Sequence, residues 1–353
     1  MTPPTFSDDA QHARAIRREI MAAVADARTR YRWLSYQNAL GMGIFIVSTS
    51  AIVASWYAYA YAALPAWVVV VWVAFWASLL HELEHDLIHA LYFKANATIR
   101  NAMMFGVWLF RPTTLNPFFR AHLHIHHHAH SGTLIDIEEI SVTNGDRWTL
   151  RRLLITSDLV LAYLLRLPEL RRNYAAQLKQ GKLAPEDMQA FRRAMWFGML
   201  PFGIIAHLLW YAFLAYHAAI GVASWLPNAP AMPAVVDMAM TVVTPLVVCW
   251  IAPNMLRQFC LHFITSNMHY FGDVEEGNLM QQTQVLNASW TLPFQLFCFN
   301  FGSTHGIHHF VVNEPFYLRQ MIARRAHRVM KAEGVRFNDV GTFARANRFN
   351  KAV

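Results

Sequence analysis

Residues 66–89 read AWVVVVWVAFWASLLHELEHDLIH. An uncharged apolar run from Ala66 to Leu80 passes without a break into His81, His85 and His89, interleaved with Glu82, Glu84 and Asp86. Histidines four apart share one face of a helix, so a single helix would carry imidazoles out of an apolar layer and aim them at one point. Two further clusters occur, HLHIHHH at 122–128 and HGIHH at 305–309. Imidazole is the commonest metal-binding side chain, and together the clusters read as a metal site at the edge of a membrane.

Composition supports a membrane class. The 353 residues are 55% apolar and 14% aromatic with 15% charged, too apolar for a soluble chain of this length. The net charge of +8 would suit nucleic acid, but Lys and Arg are absent from 34 to 93 and from 194 to 256. They collect in the N-terminal tail, in 94–193 and from Arg257 onward. That is the positive-inside pattern of a membrane protein, not a nucleic-acid groove. Residues 1–33 hold Arg at helical spacing and no small-residue cleavage site after a short apolar run, so they read as a cytoplasmic amphipathic helix. Cys249, Cys260 and Cys298 lack CxxC spacing and read as buried small hydrophobes.

A helical span needs about 20 apolar residues. Leu40–Leu64 meets this, Pro65 turns the chain, and Ala66–Leu80 returns. Trp196–Leu226, a turn at Pro227, Pro230 and Pro233, and Ala234–Leu261 repeat the arrangement. The expected fold is an all-α membrane protein with four transmembrane helices in two hairpins, 40–93 and 196–261. A cytoplasmic helical cap formed by 1–33, 94–193 and 262–353 carries the histidines, all within one integral membrane domain over 1–353. Both termini and the clusters would face the cytoplasm, with a bacterial inner membrane as the setting. Arg147–Arg193 has apolar residues at helical spacing and is expected to lie along the membrane surface. The aromatic stretch Trp290–Phe301 is expected to form a re-entrant or interfacial helix.

An ion of the iron class takes about four to six donors, so a histidine set of this size implies two ions. Register is open within the clusters: His81/His85 and His85/His89 both satisfy the helical spacing, and His122, His126 and His130 compete with His124, His127 and His128.

His85-Asp86-Leu87-Ile88-His89, His124-x-x-His127-His128 and His305-x-x-His308-His309 resemble the three histidine boxes of the membrane fatty acid desaturase and hydroxylase superfamily, which includes the alkane hydroxylases. The order of boxes and the two hairpins match too, so the resemblance covers most of the chain. It implies two non-haem iron ions, molecular oxygen as co-substrate, and attack on unactivated C–H bonds of a fatty acid or fatty acyl chain. On this resemblance the metal ligands are His85, His89, His124, His127, His128, His305, His308 and His309. One more donor is expected before the third box, and His269, in Asn267-Met268-His269-Tyr270, is preferred over His262. His81, in a frame similar to that of alkane hydroxylases, and His122 remain alternatives. Asp86, Asp136 and Glu275 are expected to accept from the far nitrogen of ligating imidazoles, while Glu82, Glu84, Glu138 and Glu276 read as solvated charge.

Among the reactions the resemblance implies, desaturation leads. Decarboxylation to a terminal alkene and hydroxylation are the alternatives. Arg257, with Arg111 and Arg120 beside it as candidates, would meet a substrate headgroup, and Trp72, Phe75, Trp76, Phe105, Trp108 and Phe110 could line a chain-binding channel. With no HPGG cytochrome motif or ferredoxin cysteine pattern, electrons must come from a separate ferredoxin-, rubredoxin- or cytochrome-type protein, which a basic face would steer. The same arginines would hold anionic membrane lipid. A His-rich metal transporter would place ionisable groups along a mid-bilayer path, whereas the spans hold isolated His207, His217 and Asp237. A zinc hydrolase needs about three or four donors and leaves the other histidines without purpose.

Overall fold

The computed structural model describes residues 6–142, 145–228 and 230–350. Among them every regular element is a helix. Helix α1 (Phe6–Arg30) leads into α2 (Gln37–Tyr61) and α3 (Ala66–Ile88), the first hairpin, and α4 (Ala97–Leu109), α5 (Pro117–His130), α6 (Ile137–Val142), α7 (Leu150–Ser157), α8 (Leu159–Lys179) and α9 (Pro185–Phe197) come next. The second hairpin pairs α10 (Phe202–Ala223) with a run made of α11 (Ala234–Leu246), a π-turn at Val247–Ile251 and α12 (Ala252–Met268). The chain continues through α13 (Leu279–Gln282), α14 (Leu292–Leu296), α15 (Phe301–Phe310) and α16 (Phe316–Ala332).

Four stretches are long and apolar enough to cross a membrane: Gln37–Tyr61, Ala66–Ile88, Phe202–Ala223 and Ala234–Met268. Their outer faces expose Ile46, Val53, Trp67, Trp72, Leu208, Val235 and Val242. An apolar belt of this extent suits lipid, not water. The all-α membrane fold with four spanning helices in two hairpins is therefore the one expected. At ~1.5 Å per residue the 23-residue α3 exceeds a hydrocarbon core of ~30 Å, which lets its last turns leave the apolar layer.

Three details differ from the sequence expectation. The stretch Trp196–Leu226 is divided, because α9 ends at Phe197 and a turn from Gly198 to Pro201 precedes α10. Trp290–Phe301 is not one helix: a 3-10 turn at Ser289–Thr291 and α14 end before Phe299 and Asn300, which adopt left-handed backbone and start α15 afresh. The fourth span does not stop at Leu261 but runs to Met268. Its π-turn sets which side chains α12 turns inward, since one extra residue in a turn rotates everything C-terminal to it. Before the turn α11 buries no side chain; after it α12 buries Asn254, Met255, Arg257, Gln258 and Leu261.

Helix α1 packs its apolar stripe inward. Ile16, Ile20, Ala23 and Val24 share a core with Ile307 of α15 and Leu318, Ala326 and Met330 of α16, and Arg28 donates to Glu314 at 2.7 Å. A buried carboxylate ties this layer to the first hairpin. Asp86 accepts from Tyr92 Oη, Phe316 N and Arg319 Nη2, each at 2.9 Å. Gly41 makes room for the Tyr92 ring, which a Cβ there would strike. Removing one member of a buried ion pair costs about 3–5 kcal/mol. Asp86→Ala is therefore expected to lower the melting temperature of the detergent-solubilised protein markedly, and Arg319→Leu to do the same. The double variant should lose less than the sum of the two, as circular-dichroism melts would show.

Candidate metal centre

Four helices deliver the histidines. The last turns of α3 present His85 and, at its C-cap, His89. Helix α5 starts sharply, with Pro117 in its first turn and the Asn116 side chain accepting from Phe118 N. At about 100° per residue, His124, His127 and His128 fall on one face of α5 and His122, His126 and His130 on the opposite one. Helix α15 supplies His305, His308 and His309, and His269 caps the end of α12.

The first face of α5 turns inward. His85, His89, His124, His128 and His308 form one group and His127, His269, His305 and His309 a second; within each, one ring nitrogen per residue lies within 4.8 Å of all the others. In the first group the Nε2 atoms close a ring: His124 to His89 at 3.1 Å, His89 to His308 at 3.2 Å, His308 to His128 at 3.0 Å and His128 to His124 at 3.2 Å. A neutral imidazole has one N–H and one lone pair, so hydrogen bonds can satisfy at most half of those contacts. A cation satisfies all of them. The centre of a square of that edge lies about 2.2 Å from each corner, close to a metal–imidazole bond. His85 adds a fifth ring, 4.3 Å from that of His308 between centroids, and neither of its buried nitrogens has a hydrogen-bond partner. In the second group His305 Nε2 stands 3.1 Å from His269 Nε2 and 3.2 Å from His309 Nε2. The donor set and spacing fit two metal ions, one in each group.

Electrostatics keeps the rings neutral. Burial, then neighbouring imidazoles, lowers His89 to about 3 and depresses His128, His269, His305, His308 and His309. His127 is the exception: burial opposes its charge, but Asp136 and Glu139 outweigh that and raise it to about 10. Asp136 Oδ2 faces His127 Nδ1 at 2.9 Å and accepts from Gly132 N, whose left-handed backbone brings that N–H close. Glu138 Oε2 faces His124 Nδ1 at 2.7 Å. Despite burial, His124 and Arg120 hold Glu138 well below the carboxylate range. His309 Nδ1 lies 3.1 Å from Gln282 Oε1, and the Glu139 carboxylate comes to 3.4 Å from His269 Nε2.

The remaining candidates lie elsewhere. His81 is one turn deeper on α3, with Nδ1 3.3 Å from Arg111 Nη2. On the outer face of α5, His122 pairs with Asp187 and His130 with Glu276, while His126 packs on His130. His262 belongs to neither histidine group. Of the three acids expected to orient ligands, Asp136 reaches an imidazole directly. Asp86 stands 3.9 Å from His85 Nδ1 and spends its hydrogen bonds on Tyr92, Phe316 and Arg319. Glu275 Oε2 instead accepts from Asn278 and Gln281. Glu84 and Glu138, read from sequence as solvated charge, are partners of Arg111, Arg120 and His124, Glu84 fully buried and Glu138 half-buried. The signal for Glu138 and Glu139 was their place two and three residues after Asp136. Gln282 carried no sequence signal.

A cavity of about 190 Å³ opens beside both groups. His85, His124, His127, His269 and His305 form its metal-facing wall, and Leu123, Ile137, Ile155, Leu170 and Phe191 much of the rest. The aromatics expected to line a channel, from Trp72 to Phe110, are not among its walls; Trp72 and Phe105 are exposed on the outside.

The family described as fatty acid desaturase matches residues 61–341, which contain all three clusters, α3 of the first hairpin, the whole second hairpin and His269. The chain belongs to the fatty acid desaturase family. No curated protein matches it closely. Carboxylates and carbonyls behind ligating histidines typically contribute about 10–100-fold to metal affinity. In this desaturase-family protein Glu138→Gln and Asp136→Asn are expected to weaken metal retention by that factor, read as faster loss to a chelator, whereas Glu275→Gln should match the parent.

Proposed function

We propose that the protein is an oxygen-dependent di-iron oxidase acting on fatty acyl chains, with desaturation as its reaction. The carrying observation is the pair of buried imidazole groups, each able to hold a metal ion, set against the wall of an apolar cavity. In this reading His85, His89, His124, His128 and His308 hold one iron, and His127, His269, His305 and His309 hold the other. Iron held by these residues would supply oxygen activation and the power to take hydrogen from an unactivated C–H bond.

The chain's own residues do the rest. Glu138 and Asp136 fix the orientation of His124 and His127 through their Nδ1 atoms, so that Nε2 points at the centre. The aliphatic wall excludes water and holds an acyl chain against the histidine face, where positioning selects which hydrogens leave. The absence of Lys and Arg from 34–93 and 194–256 supports a cytoplasmic location for the cap and termini. Electrons would come from a separate carrier protein, steered by that basic face.

Metal analysis of protein purified from membranes is expected to find about two irons per chain; one zinc, or no metal, would refute the reading. With isotopically labelled fatty acid, oxygen and a reducing system, the expected product is an unsaturated acid of equal length. A volatile alkene one carbon shorter would replace desaturation by decarboxylation, and an alcohol would replace it by hydroxylation. His308→Ala should bind about one iron and form no product.

A further inference from the structure

We infer that Arg257, assisted by His81, binds a free carboxylate inside the cavity, so that the substrate enters as an unesterified fatty acid. Arg257 is fully buried, and neither Nε nor either terminal nitrogen has an acceptor among the described residues. A buried guanidinium without an anion is strongly unfavourable, and its neighbours on the cavity wall cannot serve. Arg111 donates to Glu84 at 2.7 Å, and Arg120 donates to Glu84 at 2.9 Å and to Glu138 at 3.0 Å. Glu82 and Asp86 lie against Arg319. Glu84 and Glu138 are thus taken by Arg111 and Arg120, Glu139, the other carboxylate on the cavity wall, stands against His127 and His269, and the positive charge of Arg257 remains.

A second donor points the same way. Arginine can only donate, so the 3.3 Å contact with Arg111 makes His81 Nδ1 an acceptor and leaves the hydrogen on Nε2. That Nε2 is also buried without an acceptor. Arg257 and His81 line the same cavity as His85 and His305, and the π-turn ahead of α12 is what brings Arg257 to it. A fork of guanidinium N–H groups plus one imidazole N–H matches the two oxygens of a carboxylate, and the aliphatic lining matches its tail. An ester, alcohol or alkane brings no charge to this point.

This deepens the proposed reading and rests on it for the acyl tail, but its test is binding and needs no turnover. Displacement of a fluorescent fatty acid from the purified protein by dodecanoate, methyl dodecanoate, dodecanol and dodecanoyl-CoA is the measurement. Dodecanoate should bind at least about tenfold more tightly than the methyl ester, as a charge-assisted fork implies. Arg257→Gln should erase that preference while leaving ester affinity and iron content as in the parent, and Arg257→Lys should restore part of it. His81→Leu should shrink the preference and provides a second reading should Arg257→Gln fail to fold. Equal binding of acid and ester by the parent, tighter binding of the thioester, or a preference that survives in Arg257→Gln would overturn the assignment. A protein without iron that still prefers the acid would sink the oxidase and leave the carboxylate site standing.

Discussion

The constraint behind this structure is that nine imidazoles packed ring against ring can hold very little positive charge. Two charges about 5 Å apart repel by about 3 kcal/mol even at an effective dielectric near 20, and ring centroids here approach to 4.3 Å. Drying the cluster resolves the conflict, because burial favours the neutral ring and leaves lone pairs for a metal. A desolvated imidazole gains nothing by being near others unless a cation takes those lone pairs. The cavity wall is therefore costly in the bare protein, and the surrounding helices must hold it closed.

How they hold it depends on where the histidines come from. The end of α3, the middle of α5, the end of α12 and all of α15 are far apart in sequence, so each must be locked to the others by contacts that resist imidazole repulsion. Asp86 locks α3 to α16, and α16 packs with α1 around Ile307, between His305 and His308. The end of α12 is held from the other side. Arg152 donates to the Ser266 carbonyl and to Asn267 Oδ1 at 3.2 Å, and Asn347 Nδ2 donates to the carbonyls of Ser266 and His269 at 2.6 and 3.1 Å. Thus the C-terminal loop grips the backbone of a histidine that no helix encloses.

The spans, the hairpins and the convergence of the boxes were legible because helical period and hydropathy are local signals. The choice of His124, His127 and His128 over His122, His126 and His130 was of another kind. Both triplets form a continuous stripe on α5, and nothing within the helix distinguishes them. What distinguishes them are partners from other elements: Asp187 and Glu276 outside, Glu138 and Asp136 inside. The same holds for the acids. Glu84 sits among apolar residues and histidines and reads as surface charge until Arg111 and Arg120 arrive from α5 and the loop before it. Tyr92 and Arg319 likewise turn Asp86 from a histidine's partner into a clamp. Sequence identified which residue types gather at the site, while long-range pairing decided which of them face its centre.

That pairing forms one continuous polar path between the metal-facing wall and the depth of the cavity. Glu138 faces His124 and accepts from Arg120, Arg120 donates to Glu84, Glu84 accepts from Arg111, and Arg111 donates to His81. Each member fixes the next, since a buried charge deprived of its partner has no water to turn to. The orientation of a metal-facing imidazole and that of the His81 N–H are thereby set by the same network. A carboxylate held, as proposed, by Arg257 and the His81 N–H would be referenced to the clustered histidines through His81 and the side chains behind it, not through lipid. Such referencing is what selective oxidation of a flexible acyl chain requires, because neighbouring methylenes differ in position and hardly at all in reactivity.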